Sequence, residues 1–133
     1  MRILRNMLPA RTKTATGDET VSGDNREGRD ISEARGPIEI YVNVTAISGG
    51  VTVTFNVDDG FYVEQTKGMT LGTTGPLYRT SVIASPPGIT TTGLYLIGSL
   101  NDCGTLLQFR WTFAGGASPS ITFEIYSVYE AAD

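Results

Sequence analysis

From Pro37 onward the chain alternates apolar and polar residues with a period of two, the pattern of strands that bury one face. Ile38, Ile40, Val42, Val44 and Ala46 are interleaved with Glu39, Tyr41, Asn43 and Thr45. After Ser48-Gly49-Gly50, which reads as a turn, Val51, Val53, Phe55 and Val57 alternate with Thr52, Thr54 and Asn56. The two runs predict a β-hairpin with one apolar face. Asp58-Asp59-Gly60 carries the turn chemistry to close it, and Phe61 to Gln65 reads as a third strand. Such a pattern leaves no room for a helix.

The rest of the chain continues in the same style. Gly72 to Pro76 reads as a loop, Leu77 to Ala84 as a strand, and Ser85-Pro86-Pro87-Gly88 as a firm break. Thr90 to Leu100 is strand-prone, centred on Leu94-Tyr95-Leu96-Ile97. Leu107, Phe109, Trp111 and Phe113 alternate with Gln108, Arg110 and Thr112. Gly115 to Pro119 makes a connection, and Ile121, Phe123 and Ile125 then alternate with Thr122, Glu124 and Tyr126. Tyr126 and Val128 point to a second apolar surface. Short strands separated by Gly/Pro turns predict an all-β, antiparallel sandwich or barrel over residues 37–133, and a jelly-roll-like β-sandwich is the architecture expected. A chain of 133 residues suits one such domain. Ile38-Glu39-Ile40-Tyr41 echoes Phe123-Glu124-Ile125-Tyr126, which strand chemistry explains as well as duplication does.

Residues 1–36 read differently. Between Arg11 and Gly36 the only large aliphatic residues are Val21 and Ile31. So little apolar surface does not offset the entropy of ordering, and the segment is expected to be an extended N-terminal arm that orders on binding. Its tip carries Arg2, Arg5, Arg11 and Lys13 and no acid, whereas the body is acidic. Ile3, Leu4, Met7 and Leu8 are the expected anchors on a partner. Arg2 and Arg5 would reach acidic surface, and Arg11 is expected to belong to the same partner-binding arm.

Composition narrows the chemistry. There is no histidine and a single cysteine, Cys103. Ser-His-Asp and Cys-His arrangements are therefore excluded, as are the common zinc sites and an internal disulfide. Cys103 reads as a loop or packing thiol. Asp58, Asp59, Glu64 and Asp102 match no calcium loop and read as solvated turn residues. No catalytic residue, metal or cofactor is expected, and the chain is not expected to be an enzyme. A net charge of −4 argues against nucleic-acid binding by the body. No run is long and apolar enough to span a membrane, and Arg5 and Asn6 interrupt the start that a signal peptide would need. Among Tyr41, Tyr62, Tyr78, Tyr95, Tyr126, Tyr129 and Trp111, the tyrosines at polar strand positions, Tyr41 and Tyr126, are the candidate interface aromatics. Edge packing or cross-strand pairing would account for them equally. Asn43-Val44-Thr45 matches a glycosylation sequon inside a strand and is set aside.

Three stretches carry a resemblance. They are Val42 to Gly50, Phe109-Arg110-Trp111-Thr112-Phe113, and Gly116 to Phe123. Over residues 37 to 128 the chain resembles the small β-sandwich capsid decoration (cement) and head-associated proteins of tailed bacteriophages. It departs from them in its region 66–100 and its charged arm. The resemblance implies a structural virion protein on the outer capsid surface, made in the host cytoplasm. It would be homotrimeric, binding the major capsid protein and copies of itself, and no catalytic residues come with it. The alternatives are a tail, connector or head-fibre component, or a carbohydrate-binding or adhesin-like module using the surface tyrosines.

Overall fold

The computed structural model describes residues 2–18, 29–31, 33–63, 75–101 and 104–131. Its regular elements are all strands: β1 (Arg2–Lys13), β2 (Gly17–Asp18), β3 (Arg29–Asp30), β4 (Ala34–Ser48), β5 (Thr52–Val63), β6 (Gly75–Arg79), β7 (Gly88–Ile89), β8 (Gly93–Leu100), β9 (Leu106–Ala114) and β10 (Ser120–Ala131). They form two antiparallel sheets. One has the order β1-β10-β4-β8. In the other β9 and β5 pair centrally, with β2 and β3 beside β9 and β6 and β7 beside β5.

The apolar phase of each long strand points to one shared core. Ile38, Ile40, Val42 and Val44 of β4 and Ile121, Phe123 and Ile125 of β10 meet Val53, Phe55 and Val57 of β5 and Phe109 and Trp111 of β9. Phe123 bridges the sheets, edge-on to Phe55 with ring centroids 4.8 Å apart and to Trp111 at 5.3 Å. Trp111 is thus a core residue and not part of any surface platform.

The expected hairpin over residues 38–57 is not formed. β4 pairs with β10 and β8, while β5 pairs with β9, β6 and β7. The Ser48-Gly49-Gly50 turn therefore carries the chain from one sheet to the other, as Gly115 to Pro119 does between β9 and β10. The two arches stack. Ala117 N–H donates to Gly49 O at 2.9 Å, and Gly49 has φ of 87°. A Cβ there would lie 2.7 Å from Ala117 O and from Pro119 Cα, so only glycine fits. Alternation reports which face of a strand is apolar. It is silent on whether the next strand joins the same sheet or the facing one.

Two further expectations give way. Asp58-Asp59-Gly60 lies inside β5, which runs unbroken to Val63. Of the expected strand from Leu77 to Ala84, only the part up to Arg79 belongs to a strand, and that strand, β6, starts at Gly75 inside the expected loop. Beyond it Ile83 is buried against Gly98, where a Cβ would come within 2.6 Å of Ile83 Cγ2.

The arm is also different over residues 2–13. These form β1, which pairs with β10 from Arg2 opposite Glu130 to Lys13 opposite Ile121. Met7 and Leu8 are buried in the shared core and Ile3 packs against it. The reason is local. β10 would otherwise end the sheet with a bare edge of backbone donors and acceptors, and the apolar tip of the chain supplies the strand that covers it. A division at residue 36/37 therefore does not separate β1 from the sheet it completes. Val21 lies outside the described residues, and Ile31 is buried.

Candidate functional site

The residues that face away from the core on the β1-β10-β4-β8 sheet form a mixed aromatic and aliphatic surface. Strand register places them in rows. Asn6 lies opposite Tyr126, Tyr126 opposite Tyr41, and Tyr41 opposite Leu96. One row over, Leu4 lies opposite Val128 and Val128 opposite Glu39; on the other side Glu124 lies opposite Asn43 and Asn43 opposite Leu94. The surface encloses a groove of about 570 Å³, with Tyr41, Asn43, Tyr126 and Val128 from the central strands, Arg2 and Leu4 from β1, and Leu94 from β8. Leu4 is 68 % exposed, Leu94 64 % and Leu96 49 %. Contiguous exposed apolar residues on this scale mark an interaction surface.

The echo between Glu39-Ile40-Tyr41 and Glu124-Ile125-Tyr126 becomes geometry here. The two segments run antiparallel with the tyrosines paired, so each tyrosine has a glutamate two residues before it on the same face. Tyr41 OH donates to Glu39 Oε2 at 3.3 Å. Tyr126 is bonded to Glu124, and that bond, followed by loss of solvent, holds its phenol above the usual 10.0, while a bond to Asn6 pulls the other way. Arg2 Nη2 donates to Glu39 Oε1 at 2.6 Å, and Asn43 Nδ2 to Glu124 Oε1 at 3.1 Å. Both carboxylates are thus held in place, and the aromatic rings and leucines are the groups left to meet a partner.

The structure separates the expected arm contacts. Met7, Leu8 and Ile3 are used within the fold. Arg2 pairs with Glu39 of the same chain, and Arg5 lies 3.8 Å from Glu33. Arg11 Nε donates to Pro9 O at 3.1 Å. Leu4 alone of the apolar anchors stays outside. Among the other tyrosines, Tyr129 is buried and donates to Glu33, and burial first, then that bond, raises its phenol above 10.0. Tyr95 is partly buried, packed on the core and bonded to Thr91. Tyr62 and Tyr78 lie in β5 and β6.

The acidic candidates go elsewhere. Asp58 is 1 % exposed and Asp59 3 %. Arg110 grips Asp58 with two bonds, of 2.7 and 2.9 Å, and Gln108 and the Ser81 N–H add two more. Arg79 grips Asp59 with two bonds of 3.0 Å, and Gly104 N–H donates at 2.8 Å. They are buried carboxylates held by arginines within a sheet rather than solvated turn residues. Glu64, Asp102 and Cys103 lie outside the described residues. Among the described residues no three acidic or cysteine side chains gather into a metal-binding set, and no helix is long and apolar enough to cross a membrane.

Leu94 and Leu96 were not legible as surface residues. They stand in an unbroken apolar run, where alternation cannot tell the inward side from the outward one. No family model, no curated protein and no solved structure matches the chain.

Proposed function

We propose that the chain is a structural virion protein, a jelly-roll-like β-sandwich that decorates and stabilises a tailed-phage capsid through the outer face of its β1-β10-β4-β8 sheet. The observation that carries this reading is the exposed groove around the Tyr41–Tyr126 pair, rimmed by Leu4 and Leu94. It offers apolar anchors around tyrosines whose hydroxyls are already oriented by glutamates, the composition favoured at protein interfaces. The stacked arches, with β4 on β10 and β5 on β9, are a connectivity on which such sandwiches are built. Contact with the major capsid protein is made by this face, to which β1 contributes Leu4 and Arg2 as part of the sheet rather than as a separate arm. Repetition over a lattice turns a modest contact into strong retention. No nucleic acid, membrane, cofactor or catalytic step is part of this reading.

Cosedimentation of the purified protein with heads of the encoding phage that lack it tests the proposal. The wild type pellets with the heads. Leu4→Asp/Val128→Asp, which charges the groove without altering the core, stays in the supernatant. A wild type that never pellets, or a double variant that pellets equally well, sinks it.

One observation favours a second reading. The tyrosine pair beside Asn43 and two glutamates also suits a sugar, whose ring stacks on aromatic faces while its hydroxyls bond to amide and carboxylate. Binding on a glycan array that Tyr126→Ala abolishes would select this reading over the first.

A further inference from the structure

The two edges of the β1-β10-β4-β8 sheet are finished in opposite ways. β1 carries Arg2, Arg5, Arg11 and Lys13, includes Pro9, and breaks register against β10 between Asn6 and Leu8 and again between Leu8 and Arg11. Charges, proline and bulges are the devices that stop an edge from accepting another strand. β8 carries no charge and no proline; indeed no residue from Thr80 to Asn101 is charged. Its one irregularity, at Ile97, falls between the pairs Tyr41–Leu96 and Ile40–Gly98 and sends that side chain into the core. Among the described residues, β8 is paired on one side only, by β4. Leu94 and Leu96 stand exposed along it. A long, uncharged, apolar edge of this kind is receptive to another strand.

We infer that β8 is a self-association edge that pairs two copies, in place of the homotrimer that the resemblance implies: β8 of one copy pairs antiparallel with β8 of a second about a twofold axis, joining two four-stranded sheets into one. Charge selects the occupant. A twofold contact sets each strand against itself. β8 against β8 brings no charges together, whereas β1 against β1 would face four cations with four, which is destabilising. A β1-to-β8 contact would be heterologous, forming a ring or a filament according to its rotation, and the charges, Pro9 and the bulges of β1 oppose it. In the twofold pair the leucines of both copies lie on the same face. The groove surface of each copy becomes half of a continuous, larger one. The contact stands independently of what that larger surface binds.

Sedimentation of the full-length protein over a concentration series reads the assembly directly, and a dimer is expected. Leu96→Lys/Ser99→Lys changes two exposed residues of β8 and sets lysines near lysines across the twofold axis. It is expected to be monomeric where the wild type is dimeric, with an unchanged circular dichroism spectrum. Amide exchange supplies a second readout that needs no variant: protection along β8 in the wild type must fall on dilution as the dimer separates. A wild type that is monomeric throughout, a trimer, or exchange along β8 that ignores dilution would overturn the inference. Amide exchange on the unaltered wild type keeps this outcome distinct from that of the capsid reading, because it reports the β8 contact without changing the face whose head binding is tested through Leu4 and Val128.

Discussion

Asp58 and Asp59 are neighbours in sequence, yet they face opposite sides of β5, one across from Gln108 and the other across from Leu107. Each is buried as a carboxylate and each is held by a two-pronged arginine. Removing one partner from a buried pair costs more than the pair contributes, because a bare charge stays inside. Arg110→Ala should therefore lower stability by about 3 kcal/mol, near the low end for buried pairs, since Arg110 itself is 29 % exposed. Arg79→Ala should cost less, because its guanidinium is 66 % exposed and less of its pairing takes place out of water. Urea denaturation of both variants checks the order. Equal losses would mean that the Asp58 cluster is no tighter than the Asp59 one. The adjacent acids followed by glycine read as a turn because turn residues and buried ion-pair partners have the same composition. Only the arginines from β6 and β9 distinguish them, and those lie far along the chain.

At the scale of elements, β1 separates the two ways of reading the first residues. Met7 and Leu8 are 2 % and 0 % exposed. Full burial of such side chains stabilises by roughly 1.5–3 kcal/mol each, against a total stability of about 5–15 kcal/mol for a typical domain. Deleting residues 1–13 removes both and bares the edge of β10, where Phe123 and Ile125 belong to the core. The truncated chain should unfold or aggregate, as circular dichroism and sizing would show. A soluble, cooperatively folded truncation would mean that β1 is a detachable arm after all. The alternation that predicted β4, β5, β9 and β10 fails for β1, whose bulges near Met7 and Pro9 shift the phase midway.

At the scale of the molecule, the first and last strands pair, with Arg2 opposite Glu130. Folding must close almost the whole chain before that contact forms, and topologies dominated by distant pairings fold slowly. Refolding of the full-length protein should proceed on a scale of about milliseconds to seconds. The single tryptophan, Trp111, buried between the sheets, reports it in a stopped-flow trace. Complete recovery within microseconds would contradict the pairing. The same topology leaves β8 as the uncharged margin of its sheet, so the self-association proposed for it rests on the whole fold rather than on a motif.

The sequence by itself determined the all-strand character of the described residues, the apolar phase of the principal strands and the outward placement of Tyr41 and Tyr126, because side chains alternate across a strand whatever lies beside it. Partnership was decided by the tertiary structure alone. Which strands share a sheet, which residues cover the edge of β10, and how Leu4, Val128 and Leu94 converge on the two tyrosines all depend on contacts between distant segments. An alternating pattern states the face of a strand, and the pattern is identical for every neighbour that the strand might have.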